Sequence, residues 1–328
     1  MRESFNHESS CRTNDMRVFP EPPEPVQEIV LTLGSFDGLH IGHRRVIERV
    51  VERASAIDGR SMLVTFEPHP LAVVDPARAP KLILNRREKF ERLESLGLDD
   101  VYEIRFNREI SLLSPREFVH KMILSHLAPR EVIIGYDHHF GRGRAGSARS
   151  LAEFGEERGF GVEVIPPVRL GGAVVSCTRI RVAVAEGRVD ETAEMLERPF
   201  ALSGVVDRGD GRGAELGFPT ANVSLTGGER EKIQPKIGVY AVEARTPTSG
   251  TWIGMLNFGL RPTFGEDTEA RYEVHLLDFE GDLYGEHLTM RLRHRIRDER
   301  HFESVDDLRA QLKDDRRRCQ ELLGSRDG

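Results

Sequence analysis

Apolar residues recur with two different periods along the chain, and the change of period divides it. In the first half, short unbroken apolar runs alternate with helical spacing. Ile29 to Leu33, Ser61 to Phe66, Val101 to Arg105, Val132 to Gly135 and Val162 to Ile165 read as strands. Between them, Ile41, Val46, Ile47, Val50 and Val51 fall at helical spacing. Asn85 with Glu88 makes a capping-box pattern that opens a helix to about Leu96, and Ser114-Pro115-Arg116-Glu117 combines a cap, a first-turn proline and an acid at the third position. Strands alternating with helices predict an α/β domain, its parallel sheet covered on both faces and its ligand at the carboxyl ends of the strands.

From Ala201 the pattern changes to strands separated by glycine-rich turns. Ala201 to Asp207, Gly238 to Ala244, Trp252 to Phe258, Tyr272 to Leu277 and Leu288 to Arg293 predict an antiparallel barrel or sandwich. Ser304 to Leu323 closes the chain as an amphipathic helix with Val305, Leu308, Leu312 and Cys319 expected inward. Val182 to about Arg198 reads as helical and is expected to link the halves. Residues 1–27, which include Glu21-Pro22-Pro23-Glu24-Pro25, carry no apolar period and are expected to be a disordered lead-in.

Composition narrows the class. The 328 residues suffice for two cores, and a hydrophobic fraction of 38% with 31% charged residues is that of an ordinary soluble protein. A formal net charge of -7 argues against a general nucleic-acid binder. No apolar run approaches a membrane span, and the amino terminus lacks a signal-peptide core. Cys11, Cys177 and Cys319 are odd in number and without metal-ligand spacing, as expected of reduced thiols in the cytosol.

The candidate chemistry starts at Gly34-Ser35-Phe36-Asp37-Gly38-Leu39-His40-Ile41-Gly42-His43, placed between the first strand and the first helix. Such a turn offers free backbone N–H groups and the positive end of the helix dipole, a site for phosphate. Gly34, Gly38 and Gly42 remove side chains where a nucleotide would approach. His40 and His43, three apart, project from one face and can donate to a phosphate oxygen as charge develops. The H-x-G-H pattern resembles the signature of the nucleotidyltransferase superfamily, which moves a nucleoside monophosphate from a triphosphate to a second substrate.

Two more loops fall at the same strand ends. Phe66-Glu67-Pro68-His69-Pro70 reads equally as a rigid turn or a ligand contact. Tyr136 to Gly146 carries Asp137, His138, His139, Arg142 and Arg144. Its Gly141, Gly143 and Gly146 match G-x-G-x-x-G, which raises a dinucleotide-dependent oxidoreductase; six residues separate it from the strand, so it reads instead as a flexible loop carrying arginines towards phosphates. Ser176-Cys177-Thr178-Arg179-Ile180-Arg181 opens a helix with hydroxyls at its start and two arginines that oppose the dipole, as an anion site would require.

In the second half, Asp207-Arg208-Gly209-Asp210-Gly211-Arg212-Gly213 allows a backbone nest for phosphates. Leu216-Gly217-Phe218-Pro219-Thr220-Ala221-Asn222 follows, where Thr220 and Asn222 offer neutral oxygens suited to Mg²⁺. With no Gly-Lys pair in the chain, a P-loop kinase is excluded.

These segments, in this order, resemble the bacterial bifunctional riboflavin kinase/FMN adenylyltransferase (FAD synthetase) family from about Glu28 to the carboxyl terminus. Pro-Thr-Ala-Asn looks like its flavokinase signature, and Arg271-Tyr272-Glu273-Val274-His275-Leu276-Leu277-Asp278 its segment bearing the catalytic carboxylate. Two departures stand out: Cys177 replaces a serine, and His138 and His139 replace other residues.

The resemblance implies an α/β, Rossmann-like nucleotidyltransferase domain over 28–185, a helical linker at 186–198 and an antiparallel β-barrel flavokinase domain over 199–328 with a C-terminal helix. It implies phosphorylation of riboflavin by ATP, then adenylylation of FMN to FAD. Glu273, His40, His43 and Arg181 would be catalytic. Gly34, Phe36, Asp37, Gly42, Asp137, Ser176, Thr178, Gly209, Gly211, Arg212, Gly213, Gly217 and Pro219 would bind nucleotide or flavin, and Thr220 and Asn222 the Mg²⁺. From residues alone, Glu273 reads better as the partner of Arg271 or Arg291 across a sheet than as a base. The expected substrates are riboflavin, FMN and ATP, with neither nucleic acid nor membrane as partner, in a cytoplasmic monomer or weak homo-oligomer. The rival classes are a dinucleotide-binding oxidoreductase and a non-catalytic flavin-binding regulator.

Overall fold

The computed structural model describes residues 15–23, 28–208, 212–262 and 268–324, without the side chains of 212, 214, 260–262 and 268–269. The chain forms two compact units. Among the described residues, one comprises those up to Phe36, His43–Pro80 and Phe90–Pro167; the other comprises Asp37–Gly42, Lys81–Lys89 and those from Val168 on.

The first unit is built on β1 (Arg17–Phe19), β2 (Ile29–Leu33), α1 (Ile41–Ala56) from His43 on, β3 (Arg60–Glu67), α2 (Arg86–Ser95) from Phe90 on, β4 (Asp100–Arg105), β5 (Pro129–Gly135), α3 (Ala148–Arg158) and β6 (Gly161–Ile165). Six parallel strands lie in the order β1-β4-β3-β2-β5-β6. β2 is buried at all five positions, so both faces are covered there, and an unbroken apolar run is what such a strand requires. From β2 the chain moves outward through β3 and β4, then resumes on the other side of β2 with β5. The reversal falls between the ends of β2 and β5, where sheets of this kind open a crevice. Ile29, Leu31, Met62, Val64, Val132 and Ile134 pack on Phe118, Ile123, Leu127 and Leu151.

The lead-in departs from expectation. Arg17–Phe19 joins the sheet beside β4, and Arg17 Nε donates to the fully buried Asp100 carboxylate at 2.8 Å. Arg60 Nε lies 2.6 Å from the same group. Burial alone would raise the Asp100 pKa, but the hydrogen bonds of Arg60 and Arg17 outweigh it and hold the group below its ordinary value.

The second unit contains α4 (Cys177–Ala185), α5 (Val189–Leu196), β7 (Phe200–Asp207), β8 (Ala221–Leu225), β9 (Gly238–Thr246), β10 (Gly250–Pro262), β11 (Thr268–Leu276), β12 (His287–Arg297) and α6 (Val305–Leu323). Six antiparallel strands close a barrel in the order β7-β8-β11-β10-β9-β12, which resolves the barrel-or-sandwich alternative. Strand alternation serves two cores. Tyr240, Val242 and Ala244 of β9 enter one cluster with Leu288, Met290 and Leu292, while Val239 and Ala241 join another with Phe218, Cys319 and Leu323. α6 is oriented through Asp315, Cys319 and Leu323; Val305, expected inward, is 59% exposed, because Ser304 caps the helix beyond the packed stretch.

Two segments assigned by pattern to the first domain or a linker belong to this second unit. Val189, Met195 and Leu196 of α5 lie in the barrel-side core, so 186–198 is a packed element. The 81–89 strap is held by Leu82, which donates to Glu231 O and accepts from Ile233 N, and by the buried Lys232, whose Nζ reaches both Glu88 oxygens at 2.8 Å and Ala201 O at 2.7 Å. Asn85 Nδ2 and Ser203 N satisfy Glu229 beside it. A buried ammonium needs such partners, and a lysine's neighbours cannot be read from spacing.

Candidate active sites

The turn after β2 is fixed from several directions. Gly34 N donates to Val64 O at 3.0 Å, and the Phe36 ring lies 4.8 Å from that of His43. Within the second unit, Asp37 Oδ1 accepts from Ile83 N at 3.0 Å and Leu84 N at 3.3 Å, while Oδ2 accepts from Arg181 Nη2. Arg181 Nε donates to Lys81 O at 2.7 Å. The guanidinium expected at a triphosphate is thus clamped on Asp37.

His40 is 6% exposed and its Nδ1 accepts from Gly42 N at 3.1 Å, which leaves Nε2 as the protonated nitrogen of a neutral ring. Burial lowers its pKa to about 4, against some support from a backbone hydrogen bond and with help from the Arg198 charge. A Cβ on Gly42 would lie 3.1 Å from the His40 ring, so this close approach calls for glycine. His43 follows at the first turn of α1.

Arg198 is a contact of this turn that sequence reasoning missed. It donates to Gly38 O at 2.5 Å and to Leu39 O at 3.3 Å, holding the carbonyls of the H-x-G-H turn. No local signal marks a contact across some 160 positions.

At α4, Ser176 is the N-cap and accepts from Arg179 N. Cys177 Sγ donates to Asp37 O at 3.1 Å, so the thiol packs against the turn. Arg179 serves structure: it pairs with Glu191 at 2.8 Å and donates to Leu170 O and Ala173 O. Thr178 and Asp137 are exposed.

The glycine-rich stretch after β5 forms a hairpin, with His139–Phe140 paired to Gly146–Ser147 and a short turn at Arg142–Arg144 whose arginines are exposed. A dinucleotide fingerprint needs a sheet strand running directly through the glycines into a helix, and that geometry is absent here. His69 caps the short helix Pro70–Val74, in keeping with the rigid-turn reading of its loop.

The second cluster lies on the barrel. Tyr272, Val274 and Leu276 face its core, so Glu273 projects from the opposite face, between its ladder neighbours Asn222 and Asn257. Arg271 Nε lies 2.5 Å from Glu273 Oε1, and its Nη2 donates to Asn222 Oδ1 at 3.1 Å. The Glu273 and Asn222 oxygens therefore converge on the Arg271 guanidinium. Pro219 and Thr220 precede β8. Gly213 accepts from Phe218 N at 2.8 Å, and a Cβ there would meet Phe218 O at 2.4 Å. Gly217 takes φ +81°. Gly209 and Gly211 lie outside the described residues; Arg212 opens the turn Arg212–Glu215.

This pair of arrangements matches two known families in succession: residues 23–179 match FAD synthetase and residues 196–323 match riboflavin kinase. The chain belongs to the bifunctional riboflavin kinase/FMN adenylyltransferase family. The family member of Escherichia coli (strain K12) is 37% identical over 300 residues, covering 92% of this chain and 94% of its own. That of Pseudomonas fluorescens is 38% identical over 287 residues, covering 87% and 90%. A crystal structure described as a macrolide-efflux protein from Streptococcus pneumoniae has a TM-score of 0.83 at 30% identity, covering 92% of this chain and 98% of that one. Among the described residues no helix is long and apolar enough to cross a membrane.

Proposed function

We propose that this chain makes FAD in two ATP-dependent steps: riboflavin is phosphorylated to FMN, and FMN is adenylylated with release of pyrophosphate. The observation that carries the reading is the succession of two family matches along the chain, FAD synthetase over residues 23–179 and riboflavin kinase over residues 196–323. The transport activity in the description of the Streptococcus pneumoniae structure is not what these matches support.

For the first step we assign Glu273 as the base that takes the proton of the ribityl hydroxyl as it attacks the γ-phosphorus of ATP. Thr220 and Asn222 would hold Mg²⁺, which supplies neutralising charge to the phosphates when bound. Arg271 keeps the Glu273 carboxylate and the Asn222 oxygen facing one another. The segment from Arg212 to Gly217, with Gly209 and Gly211 before it, is assigned to the nucleotide phosphates.

For the second step the FMN phosphate is itself the nucleophile, so no side chain need attack. Its oxygen bonds to the α-phosphorus of a second ATP as the bond to pyrophosphate breaks. His40 would donate from Nε2, and His43 beside it, to oxygens gaining charge. Gly34, Phe36, Asp37 and Gly42 shape the turn; Arg181 acts through Asp37, and Asp137, Ser176 and Thr178 are assigned to nucleotide or flavin contacts. The sequence limits proposed are 28–185 for adenylylation and 199–328 for phosphorylation; the barrel's packing unit takes in 37–42, 81–89 and 168–198 as well. We further assign a cytoplasmic location, a monomer or weak homo-oligomer, and no nucleic-acid or membrane partner.

Incubating the pure protein with riboflavin and MgATP and separating the flavins by chromatography tests the reading. FMN followed by FAD is expected. Riboflavin left unchanged would overturn it in favour of a dinucleotide-binding oxidoreductase or a non-catalytic flavin-binding regulator.

A further inference from the structure

His275 sits two residues beyond Glu273 on β11 and therefore on the same face of the strand. It is 6% exposed, its ring edge-on to Phe218 with centroids 5.2 Å apart. Its Nδ1 lies 2.8 Å from Pro219 O. A carbonyl can only accept, so Nδ1 carries the proton and donates. Nε2 is then a buried lone pair, and no described group bonds to it.

A buried imidazole with one nitrogen unsatisfied is costly, and what it offers here that an apolar residue would not is the bond from its other nitrogen. The Pro219 carbonyl is the acyl part of the peptide bond to Thr220, so anchoring it fixes where Thr220 begins. Asn222, two residues on, is fixed from the other side by its ladder pairing with Glu273. The Pro-Thr-Ala-Asn segment is thus tied to β11 at both ends, by His275 before Thr220 and by the ladder at Asn222.

We propose that His275 is a positioning residue for the phosphorylation step: by donating from Nδ1 to Pro219 O, it sets the Thr220 oxygen relative to Asn222 and Glu273 and so builds the metal–nucleotide site. This inference rests on the kinase reading of the barrel. The histidine touches neither substrate nor metal; it acts through the Pro219 carbonyl.

The test uses the full chain, and its first readout is independent of turnover. Binding of Mn²⁺ with ADP is followed by the electron paramagnetic resonance of free Mn²⁺, beside the kinetics of riboflavin phosphorylation. His275→Leu removes the donor, and the metal–nucleotide complex is expected to bind about tenfold more weakly, the order of one lost hydrogen bond. His275→Asn carries an N–H near the position of Nδ1 and is expected to recover most of that loss, while adenylylation of supplied FMN stays unchanged in both variants. Wild-type Mn²⁺–ADP binding by His275→Leu would overturn the proposal, as would equal losses in both variants, which would mark a packing role. If neither variant folds, the imidazole nitrogen resonances of the unsubstituted protein decide: a proton on Nε2 rather than Nδ1 overturns the proposal. Failure of the unsubstituted protein to phosphorylate riboflavin would instead fault the kinase reading, and the tautomer is read independently of it.

Discussion

Arg271 and Glu273, two positions apart on one strand, share a face and an ion pair of 2.5 Å, and the same guanidinium also holds Asn222 Oδ1. Both side chains are a quarter to a third exposed, so the pair contributes little to stability, within about 1 kcal/mol. Its consequence lies in geometry: the proposed base and a proposed metal ligand are held together before substrate arrives.

Glu273→Gln preserves shape and removes the base. Riboflavin phosphorylation is expected to fall by roughly 10²–10⁴-fold, the usual contribution of a general base. Adenylylation of supplied FMN should stay within a factor of about two of wild type. Chromatography of both reactions measures this, and loss of both steps in a folded variant would require a single shared site.

His43→Ala should give the opposite product pattern, with FMN accumulating from riboflavin and FAD failing to appear. Removing one donor to developing phosphate charge is expected to cost about 10²–10³-fold in the second step. FAD formation at the wild-type rate would remove His43 from the assignment.

Cys177 donates to the Asp37 carbonyl, whereas Ser176 caps the helix. Cys177→Ser keeps a donor in place and should leave FAD synthesis intact. Cys177→Ala loses that bond and should lower stability by ~1 kcal/mol. Urea midpoints of the two variants check the order; a serine variant less stable than the alanine one would contradict it.

The pKa of His40, pushed down by burial from an ordinary 6.5 to about 4, gives stability a pH dependence of known sign. The unfolded chain takes up the proton first as pH falls. The contribution is therefore complete above about pH 6.5 and lost as pH falls towards about 4, on the order of 3 kcal/mol. Denaturant titrations at several pH values, with His40→Gln for comparison, should show a shallower acid loss in the variant.

Asp315 is 1% exposed and receives Arg297 Nε and Nη2 at 2.9 and 2.7 Å, with Gln311 Nε2 at 2.8 Å. Asp315→Ala leaves a guanidinium without its partner at the α6–β12 contact and should cost about 3–5 kcal/mol. Trp252, the single tryptophan, lies in the barrel edge-on to Phe279 and reports the unfolding by fluorescence. An unchanged midpoint would show that the pair is dispensable.

What the sequence by itself determined is local. Unbroken apolar runs identified the parallel strands of the first unit, because a strand covered on both faces has no polar side to show. Alternation gave away the second unit's strands, and Asn85 with Glu88, Ser114 with Glu117 and Ser176 before Arg179 marked helix starts that the structure reproduces, because capping is a contact between residues three apart. The H-x-G-H turn and the Pro-Thr-Ala-Asn segment were legible for the same reason: their residues are contiguous.

Only the tertiary structure decided the rest. Barrel closure depends on pairing β7 with β12, which lie nearly ninety residues apart. Arg17–Phe19 is a strand only because β4 offers an open edge, and the 81–89 strap joins the second unit through the buried Lys232. Arg181 and Arg179 are expected near phosphate from their helix start, yet their partners are Asp37 and Glu191, and Arg198, which no pattern marks, holds the carbonyls of Gly38 and Leu39. A guanidinium's role is set by which acceptor the fold brings within hydrogen-bonding reach, and chain spacing does not contain that distance.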